Sequence, residues 1–152
     1  MQFLSSTASL LADNFKRLTV ILSLTAFLVS CGDSFEKSYY EKTTNIQFPD
    51  KYKFVATADN GEFMTITILD LDKDGCRKFI ADNNFQPFTD NFPPRLIGLA
   101  YLDSSLRNLP DSKVLLVNRH GKEYGKTGWT YFIDTTTCRL YCEIDYPDWG
   151  GN

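Results

Sequence analysis

The sequence predicts an α+β fold with an N-terminal β-hairpin, one main helix and a C-terminal three-stranded antiparallel meander. Three observations support this prediction. Apolar and polar residues alternate on both sides of an Asn-Gly pair, apolar residues then recur at helical spacing, and three short strand-like stretches follow near the C-terminus. The length of 152 residues and the hydrophobic content of 43% indicate a single folded domain.

The hairpin is predicted from residues 51–58 and 62–69, which flank Asn60-Gly61. Asn-Gly is a strong hairpin signal because both residues tolerate the left-handed backbone of a tight turn. In the second strand, the side chains expected to share one side are those of Met64, Ile66 and Ile68. This alternation is typical of a strand with one buried face.

The main helix is predicted to begin at Asp72 or Asp74, because an aspartate side chain accepts a hydrogen bond from a free N–H group of the first turn. Its mainly apolar face would carry Cys76, Phe79, Ile80 and Asn83. Residues 84–94, with three prolines and three phenylalanines, predict a loop, and 95–102 fits either a strand or a helix. The meander strands are predicted at 113–118, 129–134 and 139–145.

The N-terminal part of the chain has the pattern of an export signal. Lys16-Arg17 precedes an uncharged, mostly apolar stretch from Leu18 to Ser30, and this order is typical of a secretory signal peptide. The stretch has about a dozen residues, whereas a membrane-spanning helix needs roughly 20. Removal of residues 1–30 would leave 14 basic and 18 acidic side chains, a net charge of −4.

Leu28-Val29-Ser30-Cys31 resembles the lipobox of bacterial lipoproteins, in which aliphatic and small residues precede a cysteine. The resemblance implies cleavage before Cys31, lipidation of its thiol with a diacylglycerol, and attachment to a membrane of the cell envelope. Gly32, in place of an aspartate, implies the outer membrane facing the periplasm in a cell that has one. The predicted domains are a signal peptide over 1–30, a lipidated cysteine and flexible tether over 31–46, and a globular domain over 47–152.

Residues Asp70 to Gly75 match the first half of a calcium-binding loop, in which alternate carboxylates converge on a cation and glycine allows a sharp turn. The second half departs from the pattern, because Ala81 occupies the twelfth position, where a bidentate carboxylate is required. We therefore predict no metal site and no cofactor. The carboxylates that remain weak metal candidates are Asp70, Asp72 and Asp74.

Three cysteines remain for the globular domain once Cys31 is lipidated. An exported protein lies in an oxidising compartment, which favours one disulfide among them. Cys76 on the apolar helix face and Cys142 on the core side of the last predicted strand are expected to pair. A bond between Cys76 and Cys138, or three free thiols, are the open alternatives.

The sequence lacks the pattern of a catalytic site. His120 is the single histidine and no G-x-S-x-G nucleophile motif is present, so we predict that the chain is not an enzyme and has no catalytic residue. Its acidic charge disfavours nucleic acid as a partner. The C-terminal stretch that includes YPDWGG is faintly similar to the ends of small uncharacterised bacterial proteins, a resemblance that implies no activity.

The predicted function is that of a non-enzymatic binding or interaction module, held on a membrane through the lipid on Cys31 and able to engage another protein of the cell envelope. Small size, acidic charge and the lipobox motivate this interpretation. Two alternatives remain open: an immunity-type inhibitor of a periplasmic toxin, and an ion- or ligand-binding lipoprotein that uses the Asp70–Asp74 loop.

Overall fold

The computed structural model describes residues 35–61, 63–121 and 126–147. Within these ranges the chain forms one six-stranded antiparallel sheet in the order β1-β2-β6-β5-β4-β3. The strands are β1 (Lys53–Asp59), β2 (Met64–Asp70), β3 (Gln86–Pro87), β4 (Leu115–His120), β5 (Gly128–Asp134) and β6 (Arg139–Asp145). The helices are α1 (Lys37–Thr44), α2 (Lys73–Asp82) and three short 3₁₀ helices, Ile97–Tyr101, Ser104–Leu106 and Ser112–Val114.

The predicted fold of an N-terminal hairpin, one main helix and a C-terminal three-stranded meander is wrong, because the described residues form a six-stranded antiparallel sheet with two α-helices. β2 pairs with β6 along its whole length, from Met64 opposite Asp145 to Asp70 opposite Arg139, so all six strands belong to a single sheet. The reason is that β2 is buried on both of its sides, with Ile68 in one core and Leu69 in the other. Such a strand needs a partner on each edge, because its N–H and C=O groups are shielded from water.

Helix α1 lies within residues 31–46, the segment for which a tether was predicted. Its Tyr40 and Thr44 are buried and lie one helical turn apart. The Tyr40 hydroxyl is 2.7 Å from the hydroxyl of Thr67 in β2. The helix ends at Thr44. Asn45 caps it with a left-handed backbone (φ 57°), and its N–H donates to the carbonyl of Glu41. Helix α1 is therefore part of the globular core.

A hydrophobic core lies on each face of the sheet. On the first face, α1 and α2 cover side chains of the central strands, and this core includes Tyr40, Phe48, Phe79, Tyr131 and Leu140. On the second face, the segment that contains the first 3₁₀ helix covers a smaller core, which includes Ile66, Leu99, Leu115 and Phe132. Alternate residues of one strand enter opposite cores, as the pleat of a β-strand requires. Across the part of the chain that the structure describes, no helix is long and apolar enough to cross a bilayer.

Candidate functional site

A cleft of about 630 Å³ opens on the second face of the sheet, between strands β4 and β5 and the loop that precedes the first 3₁₀ helix. Its polar lining comes from Asp90, Arg95, Arg119 and Thr130. Its aromatic lining comes from Phe88, Phe92 and Phe132. We call this feature the arginine cleft. Its size and its mixture of apolar walls with a few polar groups are typical of sites for small molecules.

The loop wall of the cleft is fixed at its first end by main-chain and aromatic contacts. The N–H of Phe88 donates to the carbonyl of Leu115 at 3.1 Å. The ring of Phe88 packs edge-on against Phe132, with ring centroids 5.4 Å apart. Pro93 and Pro94 also line the cleft, and proline restricts both its own φ and the backbone of the residue before it. The loop therefore presents its side chains from a restricted backbone.

The cleft contains an ion pair and a separate cation. The Arg119 guanidinium donates to both carboxylate oxygens of Asp90, at 2.6 and 3.0 Å, and this hydrogen bonding lowers the pKa of Asp90. Arg95 is exposed, and it makes no ion pair or hydrogen bond with any residue that the structure describes. One positive charge therefore remains unbalanced in the cleft of a protein whose net charge is negative.

A row of residues crosses the second face from the cleft to the middle of the sheet. Arg119 lies opposite Thr130, and Thr130 lies opposite Glu143 in β6. Glu143 is buried, with 4% of its surface exposed, and its carboxylate accepts a hydrogen bond of 2.6 Å from the N–H of Gly98. Burial raises the pKa of Glu143 to about 7, while hydrogen bonds from the N–H groups of Gly98 and Ile97 act in the opposite direction. This carboxyl group holds the first turn of the 3₁₀ helix against the sheet.

Gly98 makes this close approach of the 3₁₀ helix to the sheet possible. A Cβ atom on Gly98 would lie 2.5 Å from the Cβ of Ile66 and 3.2 Å from a carboxylate oxygen of Glu143. Any larger residue would push the helix away from β2 and β6. Because Arg95 lies three residues before Gly98, the segment that carries the free cation is anchored at this end as well.

The three aspartates of the predicted acidic loop have separate structural roles. Asp70 accepts from Nε and Nη2 of Arg139 at 2.7 and 3.0 Å. Asp72 caps α2 by accepting from the N–H of Gly75 at 2.7 Å, and Asp74 pairs with Arg77 on the helix surface. Within the described ranges, no three His, Cys, Asp or Glu side chains are grouped so that they could hold a metal ion.

The three cysteines predicted to supply a disulfide are all buried and carry free thiols in the structure. Burial, reinforced by the neighbouring Cys138, raises the pKa of Cys76 to about 12. Cys142 lies in the middle of β6, opposite Thr67 on one side and Tyr131 on the other. The predicted Cys76–Cys142 bond stays a prediction. The predicted lipidation site, Cys31, lies outside the described residues.

No family model, no curated protein and no solved structure matches this chain. The arginine cleft was not predicted from the sequence, although one signal for it was present. Arg119 and Glu143 occupy strand positions that share a face with buried apolar neighbours, Val117 and Tyr141 respectively. A charged residue at such a position indicates either a buried polar contact or a cleft. His120, the single histidine, lies at the exposed end of β4 and stacks on Trp129 with centroids 4.7 Å apart.

Proposed function

We propose that this chain is a cell-envelope lipoprotein, anchored by lipid on Cys31, whose globular domain is a non-enzymatic binding module that uses the arginine cleft. The lipobox-like sequence Leu28–Cys31 supports the anchor. The observation that carries the binding role is the open cleft in which Arg95, which has no partner among the described residues, lies with Phe92, an aromatic side chain that is 80% exposed. A free cation beside an exposed aromatic ring is a surface that gains contacts when a ligand or partner covers it.

The chemistry of the cleft favours binding over catalysis. Thr130 is the one hydroxyl among the residues that line it, and a nucleophilic hydroxyl needs a general base beside it. Asp90 is the carboxylate of the cleft, and it is already engaged by two hydrogen bonds from Arg119. The pKa of the group that would have to accept a proton is therefore lowered, which makes this carboxylate a weaker base.

The anchor is tested by comparing the wild-type full-length chain with Cys31→Ala. We expect wild type to fractionate with membranes and to incorporate a clickable palmitate, and we expect Cys31→Ala to incorporate none. Cys138→Ala is the matched control, because it removes a cysteine outside the lipobox-like sequence and should label normally. Wild-type protein found unlabelled in the cytoplasm with residues 1–30 attached would contradict the proposal.

The binding role is tested by photo-cross-linking in intact cells. A photoreactive amino acid at position 92 should give a discrete cross-linked product, whereas the same amino acid at position 78, on the exposed surface of α2, should not. Arg95→Gln should weaken the product at position 92. Equal cross-linking at both positions, or none at position 92, would show that the cleft is not where this protein binds.

A second candidate function is neutralisation of a toxin that reaches the periplasm. The observation that favours it is a set of exposed apolar side chains on the covering segment of the second face: Phe92 (80% exposed), Ile97 (64%) and Tyr101 (54%). Aromatic and apolar side chains are enriched in the centres of protein interfaces. A protein partner would cross-link to positions 92, 97 and 101, whereas a ligand confined to the cleft would leave positions 97 and 101 unaffected.

A further inference from the structure

We propose that the arginine cleft binds a small organic carboxylate that has an aromatic or branched apolar body. This inference rests on the proposed binding function and names the ligand class for that site. The cleft volume of about 630 Å³ falls within the roughly 300–1,000 Å³ of small-molecule sites. A ligand of this size would contact the free cation and the phenylalanine walls at the same time.

Arg95 is the group that would recognise the carboxylate. Among the five arginines in the described part of the chain, Arg95 alone has no partner: the others hydrogen-bond to Asp74, Leu102, Asp90 and Asp70. A guanidinium is planar and offers parallel N–H groups that match the two oxygens of a carboxylate. Occupation of the cleft would therefore supply Arg95 with an anion that none of the described residues provides.

The remaining polar groups select a singly charged anion. The carboxylate of Asp90 lies in the same cleft, and although Arg119 neutralises it, its oxygens disfavour a second or third negative charge on a ligand. The Thr130 hydroxyl has no hydrogen-bonding partner among the described residues, so it is available to donate to the ligand. A carboxylate fits this combination better than a phosphate dianion.

The apolar part of the ligand is inferred from the aromatic lining. Phe88 and Phe132 form an edge-on pair in the wall of the cleft, and Phe92 is almost fully exposed. A bare inorganic anion would leave the exposed Phe92 ring and the half-buried Phe88 ring in contact with water, whereas a flat or branched apolar body would cover them. The site therefore favours an amphipathic acid over a small ion.

The test uses N-acetyl-phenylalanine and its uncharged amide, which differ only at the carboxylate, with inorganic phosphate as a third probe. Binding to the full-length protein, extracted from membranes into detergent micelles, is measured by ligand-observed NMR titration. We expect the acid to bind about tenfold more tightly than the amide, because the charge-assisted hydrogen bonds to Arg95 are lost with the amide. Phosphate should not displace the acid.

Three variants assign the binding to the cleft. Arg95→Gln should weaken the binding of the acid by about tenfold and leave the binding of the amide unchanged. Arg77→Gln, which removes the same charge from the surface of α2, is the matched control and should bind as wild type does. Phe92→Ala should weaken the binding of both the acid and the amide. It should leave the melting temperature of the protein unchanged, because Phe92 is 80% exposed.

The outcomes separate this inference from the proposed function. Equal affinity for acid and amide, or equal behaviour of Arg95→Gln and Arg77→Gln, would overturn the ligand class. If position 92 nevertheless cross-links in cells, the binding role is retained and only the ligand class is wrong. If position 92 gives no product and neither probe binds, both proposals are overturned.

Discussion

Glu143 shows how one buried carboxyl group couples the second face of the sheet to pH. Burial raises its pKa from 4.5 to about 7, and the repulsion of Asp145 acts in the same direction, whereas the N–H groups of Gly98 and Ile97 oppose the shift. The folded state therefore binds the proton of Glu143 more tightly than the unfolded state does. Its contribution to the free energy of unfolding must fall as the pH rises through this range.

We expect Glu143→Gln to reduce the pH dependence of stability between pH 5 and pH 8. In wild type, the Glu143 contribution to the free energy of unfolding should decrease by about 3 kcal/mol as the pH rises from below 4.5 to above 7. Urea denaturation of both proteins at several pH values gives the difference between their free energies of unfolding. The contributions of the other titrating groups cancel in this difference. Parallel pH profiles would show that Glu143 is not protonated preferentially in the folded state.

The cysteines show what the sequence could and could not predict at this scale. The prediction that Cys76 lies on the apolar face of the helix is confirmed, because Cys76 is buried in the core and is 2% exposed. Cys138 was left outside the predicted pair, yet its backbone has a left-handed conformation (φ 60°), its side chain is buried, and its presence raises the pKa of Cys76. Alternation along a strand cannot reveal this, because the burial of Cys138 depends on a turn that packs against α2.

The structure favours the alternative pairing that the sequence left open, because Cys138 is the cysteine that acts on the Cys76 thiol. If the exported protein forms a disulfide, we therefore expect Cys76 to pair with Cys138 in place of the predicted Cys142. The bridge should raise the free energy of unfolding by about 4 kcal/mol, as the chain-entropy model gives for a loop of roughly 60 residues. Peptide mapping of unreduced protein identifies the partner. Cys142→Ser should retain the bridge and Cys138→Ser should lose it, and a recovered Cys76–Cys142 peptide would show that our choice of partner is wrong.

At the scale of single elements, the start of α2 was predictable because the signal is local. Asp72 lies at the N-cap and accepts a hydrogen bond from Gly75 three residues later, which is a contact within one turn. Residues 95–102 were ambiguous between strand and helix, and the structure has a 3₁₀ helix over Ile97–Tyr101. Its conformation depends on Glu143, 45 residues away from Gly98 in the sequence, and no local pattern contains that contact.

The cap assignment gives a prediction about calcium. Asp72→Ala should lower the free energy of unfolding by about 1 kcal/mol through loss of the cap, and the loss should be the same with calcium and with a chelator. Asp74→Ala is the control, because Asp74 makes an exposed ion pair with Arg77 and should cost about 0.5 kcal/mol or less. Thermal melts of both variants provide the measurement. A calcium-dependent rise in the wild-type melting temperature that Asp72→Ala abolishes would instead show that the acidic loop binds metal.

At the scale of the whole molecule, the predicted fold failed where distant segments meet. The alternation over 62–69 located a strand, but it could not show that Thr67 and Leu69 are buried as fully as Ile66 and Ile68. That burial arises because β6 pairs with β2 across about 70 residues of sequence and because α1 covers the first face. The arginine cleft was not predictable for the same reason, since its lining comes from a loop and two strands that are separated along the chain.

Helix α1 is attached to the globular domain through the side chain of Tyr40. Tyr40 belongs to the first core, although it lies in the segment for which a tether was predicted. Tyr40 is 4% exposed, its hydroxyl contacts Thr67, and its ring packs against Phe35 and Phe48. These contacts join the N-terminal helix to the centre of the sheet.

We therefore expect Tyr40→Ala to lower the free energy of unfolding by about 3–5 kcal/mol, because it opens a cavity and leaves the Thr67 hydroxyl without one of its partners. Tyr39→Ala is the matched control, since Tyr39 is 36% exposed on the same helix and its loss should cost about 1 kcal/mol. Urea denaturation of both variants provides the comparison. Equal, small losses would mean that α1 is only loosely attached, and that residues 31–46 act as the spacer which the sequence alone predicts.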